Sequence, residues 1–433
     1  MNTKMLTRRD FVQGLGALVT AGSSGRLWAA GRQDVVVLTA YPDAVVSRFE
    51  AAFEQANPRY RLRVVWRMPH DALPYLRQPG QAGVDVYWSA SPRTYAQLKA
   101  EGALRKLPVD AAGRPGRVGG TRIDDPDGFY AASEVAGYGF ALNPAYLQAR
   151  SLPVPADWSD LADPAWAGHL LVPNPAEVGF APVLVDIPLQ AYGWDAGWAL
   201  WSAIAANAAF VGRGGTFVTD EIGSGRAGVG LSIDFFVASA VANGAPLRFV
   251  YPRQGGVNPA HIAVTAGSPN PAGARAFVDF VLSDAGQRIL THPDIRKLPV
   301  RPSAYAGLPA DQHNPFAAAA QGGYRYDGGR GAGRATPVAA AFAQTLVRPH
   351  GRLVALWQRL RAAGSAAWQT VWPLLAAPPC AESEVDDPAI QRAFFTRRDD
   401  PAAEARAAGL ERDWAARADV RHAKAATLLG MPS

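Results

Sequence analysis

A short apolar strand, a turn of small residues and an amphipathic helix recur along this chain, and that recurrence restricts the fold more than any other feature. Asp34–Leu38 (DVVVL) is β-branched, apolar and of strand length. Thr39 to Asp43 turns, with Pro42 suited to open a helix. Val45, Val46, Phe49 and Phe53 follow at helical spacing, and Asn57-Pro58 stops the run. Arg61–Trp66 alternates, with Leu62, Val64 and Trp66 on one face. Val84–Tyr87 is the next strand, and a helix from about Arg93 to Glu101 ends at Gly102. Strand, helix and strand in succession predict an α/β protein with a parallel sheet and helices on its faces.

The pattern returns twice. Phe129–Leu142 is strand-like, with Gly137 and Gly139 as bends, and residues 156–262 form a second α/β unit. In that unit Leu170–Val172 is a strand, and Asn174–Gly179 turns into a helix. Trp194, Trp198 and Trp201 share one helical face, which reads better as a core stripe than as a stacking site for sugars or bases. At 260–291 a strand (His261–Thr265), a turn and an amphipathic helix repeat the first pattern. Gly322–Gly333 reads as a mobile surface loop, because its Gly-x-Gly has neither a preceding strand nor a clear following helix. The chain beyond 337 is mostly helical.

Several function classes drop out. Thr7–Gln13 (TRRDFVQ) has the form of a twin-arginine export signal, and the apolar run Val12–Ala21 is too short to span a membrane. Residues 1–30 are therefore expected to be a signal peptide, and the mature protein to be exported, periplasmic in a cell with two membranes. The formal charge is +6, but Lys4, Arg8, Arg9 and Arg26 against Asp10 supply +3 of it. The remaining +3 is dispersed, which disfavours a nucleic-acid partner. Only five of the 43 basic residues are lysines, a bias read as composition. One cysteine, Cys380, excludes an internal disulfide, and the seven histidines lack metal-ligand spacing. No nucleophile elbow, zinc-protease helix, phosphate-binding P-loop or cofactor motif occurs. Acidic clusters at Asp124, Asp125 and Asp127 and at Asp386-Asp387 leave a secreted hydrolase as an alternative.

Three strand-to-helix turns carry small or hydroxyl residues: Thr39-Ala40-Tyr41, Ser89-Ala90-Ser91 and Ala176-Glu177-Val178-Gly179. Free backbone N–H groups at helix starts favour an anion, and ligands of open α/β sheets sit beyond the carboxyl ends of strands. Each turn alone reads better as a plain helix cap. Together they point to a ligand cleft.

With these residues in place, the chain resembles the periplasmic solute-binding proteins of ABC transporters, in the branch of ferric-ion, hexose-phosphate and phosphoglycerate binders. The resemblance rests on SPRTYAQLKAEGAL (91–104), DWSDLADPAWAG (157–168), SGRAGVGL (224–231), and His261–Val264 with GSPNP (267–271) and FVDFVLSDAGQ (277–287). It implies a two-lobe fold of type II character, with crossing segments near Glu134–Leu142 and His261–Thr265 forming a hinge. Lobe one would hold 31–133 and 263–345, lobe two 134–262, and a helical extension 346–433. It also implies closure on a ligand, docking on a membrane permease, and no catalysis or cofactor. A membrane sensor is the alternative partner.

Departures from the branch bear on the ligand. Where ferric binders carry paired tyrosines this chain has Asp234-Phe235-Phe236, and phenylalanine cannot ligate iron. Tyr324 and Tyr326 are the substitutes to consider. Glu177 would repel an anion in its turn unless it meets a hydroxyl or an ammonium. Asp234 would accept hydrogen bonds from sugar hydroxyls, and Arg213 near Thr216 would grip a phosphate. Tyr41 and Phe235 would line the apolar side, while Tyr138 reads as hinge core. A small anionic, phosphorylated organic solute is the expected ligand.

Overall fold

A computed structural model describes residues 31–108, 112–212, 215–309 and 312–431, without the side chains of 215–217. The twin-arginine segment, Arg213 and the Thr216 side chain lie outside these residues.

Runs of β-branched and aromatic residues form eleven strands: β1 Gln33–Thr39, β2 Tyr60–Trp66, β3 Val86–Ser89, β4 Arg117–Val118, β5 Thr121–Arg122, β6 Ala131–Leu142, β7 Leu170–Pro173, β8 Ala208–Val211, β9 Val229–Ile233, β10 Arg248–Val250 and β11 Val257–Val264. The main sheet runs β2-β1-β3-β11-β6-β9-β7-β8, with β10 on the far half of β6. β1 is parallel to β2 and β3, and β7 is parallel to β8 and β9. Between these two parallel blocks lie the antiparallel strands β6 and β11. β6 pairs with β11 through Ala131–Gly137 and with β9 through Tyr138–Leu142, so one strand serves both halves.

Each half has its own core. In the first, Val35, Val37 and Trp88 pack under the helices Asp43–Ala56 and Pro271–Leu282, while Leu38 and Tyr87 pack under Pro69–Leu76 and Pro92–Ala100 on the opposite face. In the second, the stripe of Trp194, Trp198 and Trp201 is buried. It does not stop at the second half. Phe342, Leu353, Trp357 and Trp414 of the C-terminal helices join the same cluster. Among the described residues no helix is long and apolar enough to cross a membrane.

Three expectations need correcting. Leu62 is buried, but Val64 and Trp66 are 39% and 52% exposed because β2 is the edge strand and the sheet face there is uncovered. The glycine-rich segment is no surface loop. Tyr324 and Tyr326 are buried, and Asp327 Oδ1 caps a helix, Gly328–Phe342, by accepting from the backbone N–H of Gly329 (2.8 Å) and Arg330 (3.1 Å). Glycine is required at 331, where an added Cβ would lie 1.9 Å from the Tyr326 hydroxyl. Tertiary packing outweighs the weak helical propensity of these glycines. Sequence had placed residues through 345 with lobe one; this helix packs on Ala181–Tyr192 of the second half.

Arg334 fastens that contact. It is fully buried, its Nε donates to Asp186 Oδ1 at 2.8 Å, and its Nη1 reaches Glu382 Oε1 at 2.8 Å. Burial pushes the Asp186 carboxyl up, and the Arg334 charge opposes that shift. Arg334→Ala strands a buried carboxylate and is expected to cost about 3–5 kcal/mol in chemical denaturation. Arg334→Met with Asp186→Leu removes both charges and should cost clearly less; equal losses would refute this account.

Candidate functional site

The strand directions place the site. β1 and β3 end at Thr39 and Ser89, and β9 ends at Ile233, opposite Tyr138 in the middle of β6. The carboxyl ends from both lobes therefore face the junction that β6 and β11 cross.

Lys297 ties this junction together. Its Nζ lies 4.6 Å from the centroid of the Tyr41 ring, in the turn after β1, and 5.4 Å from that of Phe235, at the start of the helix Asp234–Ala242 after β9. The same ammonium pairs with Glu134 Oε1 on β6. A cation over two aromatic faces and against a carboxylate is strongly favoured in a site that excludes water. Tyr41 also packs edge-on against Trp88, at 4.7 Å between centroids, and Trp88 Nε1 donates to Ser133 Oγ at 3.0 Å. Two buried polar atoms here, the Tyr41 hydroxyl and Glu134 Oε2, meet no described residue in full hydrogen-bond geometry, and the hydroxyl lies beside the Glu134 and Ser133 side chains. Burial and the nearby Glu134 charge push the Tyr41 hydroxyl well above its usual range, so it stays a donor.

The expected residues fall into groups around this centre. Thr39 is buried and its Oγ1 accepts from the Tyr41 backbone N–H at 3.1 Å. Ala40 and Ala90 are half-buried beside it. Ser89 is buried, its N–H donating to the Tyr95 hydroxyl at 3.0 Å, and Ser91 Oγ pairs with Thr94 Oγ1 at 2.8 Å. Phe235 stacks obliquely on Phe236 (4.1 Å), which meets Phe180 (5.6 Å). Tyr138 is buried in the second-lobe core. Glu177 and Gly179 are exposed. Asn174 Nδ2 donates to Glu177 Oε1 at 2.7 Å, and an added Cβ on Gly212 would lie 2.1 Å from Glu177 Oε2.

Asp234 has work within the chain. Its buried Oδ2 accepts from the Gly137 N–H on β6 (2.8 Å) and from the Tyr251 hydroxyl (3.0 Å). Gly137 and Gly139, read as bends, instead admit close neighbours: an added Cβ would lie 2.6 Å from the Tyr251 ring and 2.3 Å from Val250 O respectively. Asp234→Ala would orphan both donors and is therefore expected to lower the stability of the apo chain. Tyr324 and Tyr326 are not an exposed pair. The Tyr324 hydroxyl pairs with His313 Nε2 at 2.7 Å, and Tyr326 belongs to the second-lobe core.

Lys297, Glu134 and Ser133 were missed. The signal was present: Lys297 is one of five lysines in an arginine-rich chain, and that scarcity was read as composition alone.

A parallel sheet block on each side of two crossing strands, with a charged and aromatic centre between them, defines a two-lobe binding protein. The chain belongs to the bacterial extracellular solute-binding protein family, whose model matches residues 84–320. The phosphoglycerate transport regulatory protein PgtC of Salmonella typhimurium is 38% identical over 190 residues, covering 44% of this chain and 46% of that protein. The match thus spans about half the length of that curated relative. Iron-bound HitA from Pseudomonas aeruginosa superposes with a TM-score of 0.52 at 18% identity, covering 71% of this chain and 99% of its own. Ferric iron-binding protein A of Mannheimia haemolytica, in an open conformation, gives 0.52 at 13% identity, covering 67% and 94%. These likenesses show the shared fold.

Burial holds the Asp234 carboxyl at about 7, against 3.8 for the free group, although the Gly137 and Tyr251 hydrogen bonds pull it down. The folded state thus keeps a proton that the unfolded chain gives up. That stabilisation is full below pH 3.8 and is lost as pH rises through about 7. Asp234→Asn should flatten this part of the stability profile in denaturant titrations across that range; an unchanged slope would remove Asp234 as its source.

Proposed function

We propose that the chain captures a small anionic, phosphorylated organic solute between its lobes and delivers it to an ABC permease in the inner membrane, acting as a binding protein without turnover. The observation that carries the reading is the Lys297 ammonium held between Tyr41, Phe235 and Glu134, beside the buried Tyr41 hydroxyl and Glu134 Oε2. An ammonium has three donors, and Glu134 takes one of them. The others, with the backbone N–H groups of Ala40, Ala90 and Ser91, suit a phosphoryl or carboxyl group. The Tyr41 hydroxyl and Glu134 Oε2 suit ligand hydroxyls. A hydroxylated acid phosphate offers both sets, and the name of the Salmonella relative is in keeping with that class. Ligand between the lobes would favour the closed state that a permease recognises. Export by the twin-arginine route would place the protein in the periplasm. Phe235 and Phe236, in place of two tyrosines, weigh against iron. The word regulatory in the relative's name supports one second reading, in which the loaded form also touches a membrane sensor.

A thermal-shift panel of 3-phosphoglycerate, hexose phosphates, inorganic phosphate and Fe(III) tests the reading. Ligand at 100 times its Kd adds about 2.7 kcal/mol of stability, a visible shift. A shift with a phosphorylated compound that Lys297→Ala abolishes is expected. A shift with Fe(III) alone, or turnover of the bound compound, would refute it.

A further inference from the structure

Between the lobes, away from the Lys297 centre, lies a groove of about 1110 Å³. One wall is the helix Asp43–Ala56, through Arg48, Ala51, Ala52 and Gln55. Arg48, Ala51 and Gln55 lie off the helix face that Val45, Val46, Phe49 and Phe53 bury, and Ala52 borders it. The facing wall is the helix Asp234–Ala242, through Val237, Ala238 and Val241, with Arg248 of β10. Arg288, His292, Arg296, Leu308, Gln312 and His313 are among the residues that complete it. Apart from Asp234, none of the residues expected to bind ligand lines this groove, nor does Lys297.

Its charge is one-sided. Arg48, Arg288 and Arg296 come from the first lobe and Arg248 from the second. Arg48 is paired with Asp294. Arg296 Nε donates to Pro293 O at 2.6 Å. Among the described residues, no carboxylate lies within ion-pair distance of Arg248, Arg288 or Arg296. Among the described lining residues the only carboxyl is Asp234, at the buried end, where its oxygen already accepts two hydrogen bonds. Burial lowers His313, on the same lining, to about 4, so it adds no charge at neutral pH. The guanidinium fork matches phosphate oxygens two at a time. The groove is also at the upper end of the range of small-ligand pockets, roughly 300–1,000 Å³, and far roomier than a three-carbon acid phosphate needs.

We propose that this groove is a separate binding site for an extended polyanion with two or more phosphoryl groups, gripped by Arg248 from one lobe and by Arg48, Arg288 and Arg296 from the other. Like charges on the two walls oppose the approach of the lobes, and a bound polyanion removes that repulsion. Occupancy of the groove therefore favours the closed arrangement. The inference rests on the two-lobe architecture and not on what the Lys297 centre binds.

Inorganic tripolyphosphate is the probe, titrated calorimetrically into the full chain. Saturable binding that weakens with added salt is expected, and Arg248→Ala with Arg288→Ala should weaken it roughly tenfold or more. The same double replacement at Arg59 and Arg150, which lie off the groove lining, controls for net charge and should leave the affinity as it was. Three results would overturn the proposal: no binding by the wild-type chain, equal affinity in the groove variant, or an equal loss in the control variant. Loss on Lys297→Ala instead would put the phosphoryl groups in the cleft and overturn it too. A chain that binds tripolyphosphate through the arginines yet shows no shift with any phosphorylated compound in the thermal panel would uphold the groove and sink the cleft reading.

Discussion

The antiparallel pairing of β6 with β11 is the constraint on which the rest depends. All twelve residues of β6 are buried, and the strand exchanges its partner from β11 to β9 at Tyr138. The two parallel blocks would otherwise be separate proteins. Because β6 and β11 are shared, the carboxyl ends of β1, β3 and β9 are held facing one another, and the short chain Glu134–Lys297–Tyr41 can span from the crossing strand to the first lobe. The register shift between Ala260 and His261 on β11 lies in this same segment, where the strand leaves one lobe for the other. Local geometry thus sets both the connection between lobes and the position of the charged centre.

Much of this was legible in the sequence because strand and helix periods differ. Val45, Val46, Phe49 and Phe53 predicted one helix face and are its buried face. Phe129–Leu142 read as a strand, and β6 occupies most of it. The turns after β1 and β3 were found from their small residues. The errors have physical causes. Alternation in Arg61–Trp66 says which side chains share a face but not whether anything covers it. Gly328–Gly333 was misread as loop because propensity is local, whereas the packing of Arg334 against Asp186 joins residues far apart in sequence. Lys297 was missed for the same reason: its partners Tyr41, Glu134 and Phe235 are brought to it only by the fold.

The C-terminal helices illustrate how a chain can enlarge one lobe without altering the other. Phe342, Leu353, Trp357 and Trp414 extend the hydrophobic cluster that the tryptophan stripe begins. Ion pairs of Arg330 and Arg334 with Glu382 and Asp386 fix the angle of approach. Burying an arginine is tolerable only because every carboxylate around it is fixed in place. On the first lobe the tail leaves a lighter mark, a contact of the Arg93 guanidinium with the Phe395 ring at 4.9 Å.

That lopsided attachment has a hydrodynamic consequence. The helical tail adds its bulk to one side of the hinge only, so viscous drag resists rotation of the second lobe far more than rotation of the first. Were the lobes to close on a ligand as proposed, the lighter first lobe would do most of the travelling, carrying Tyr41, Trp88 and Arg48 with it. The heavier body behaves as the stator of the pair.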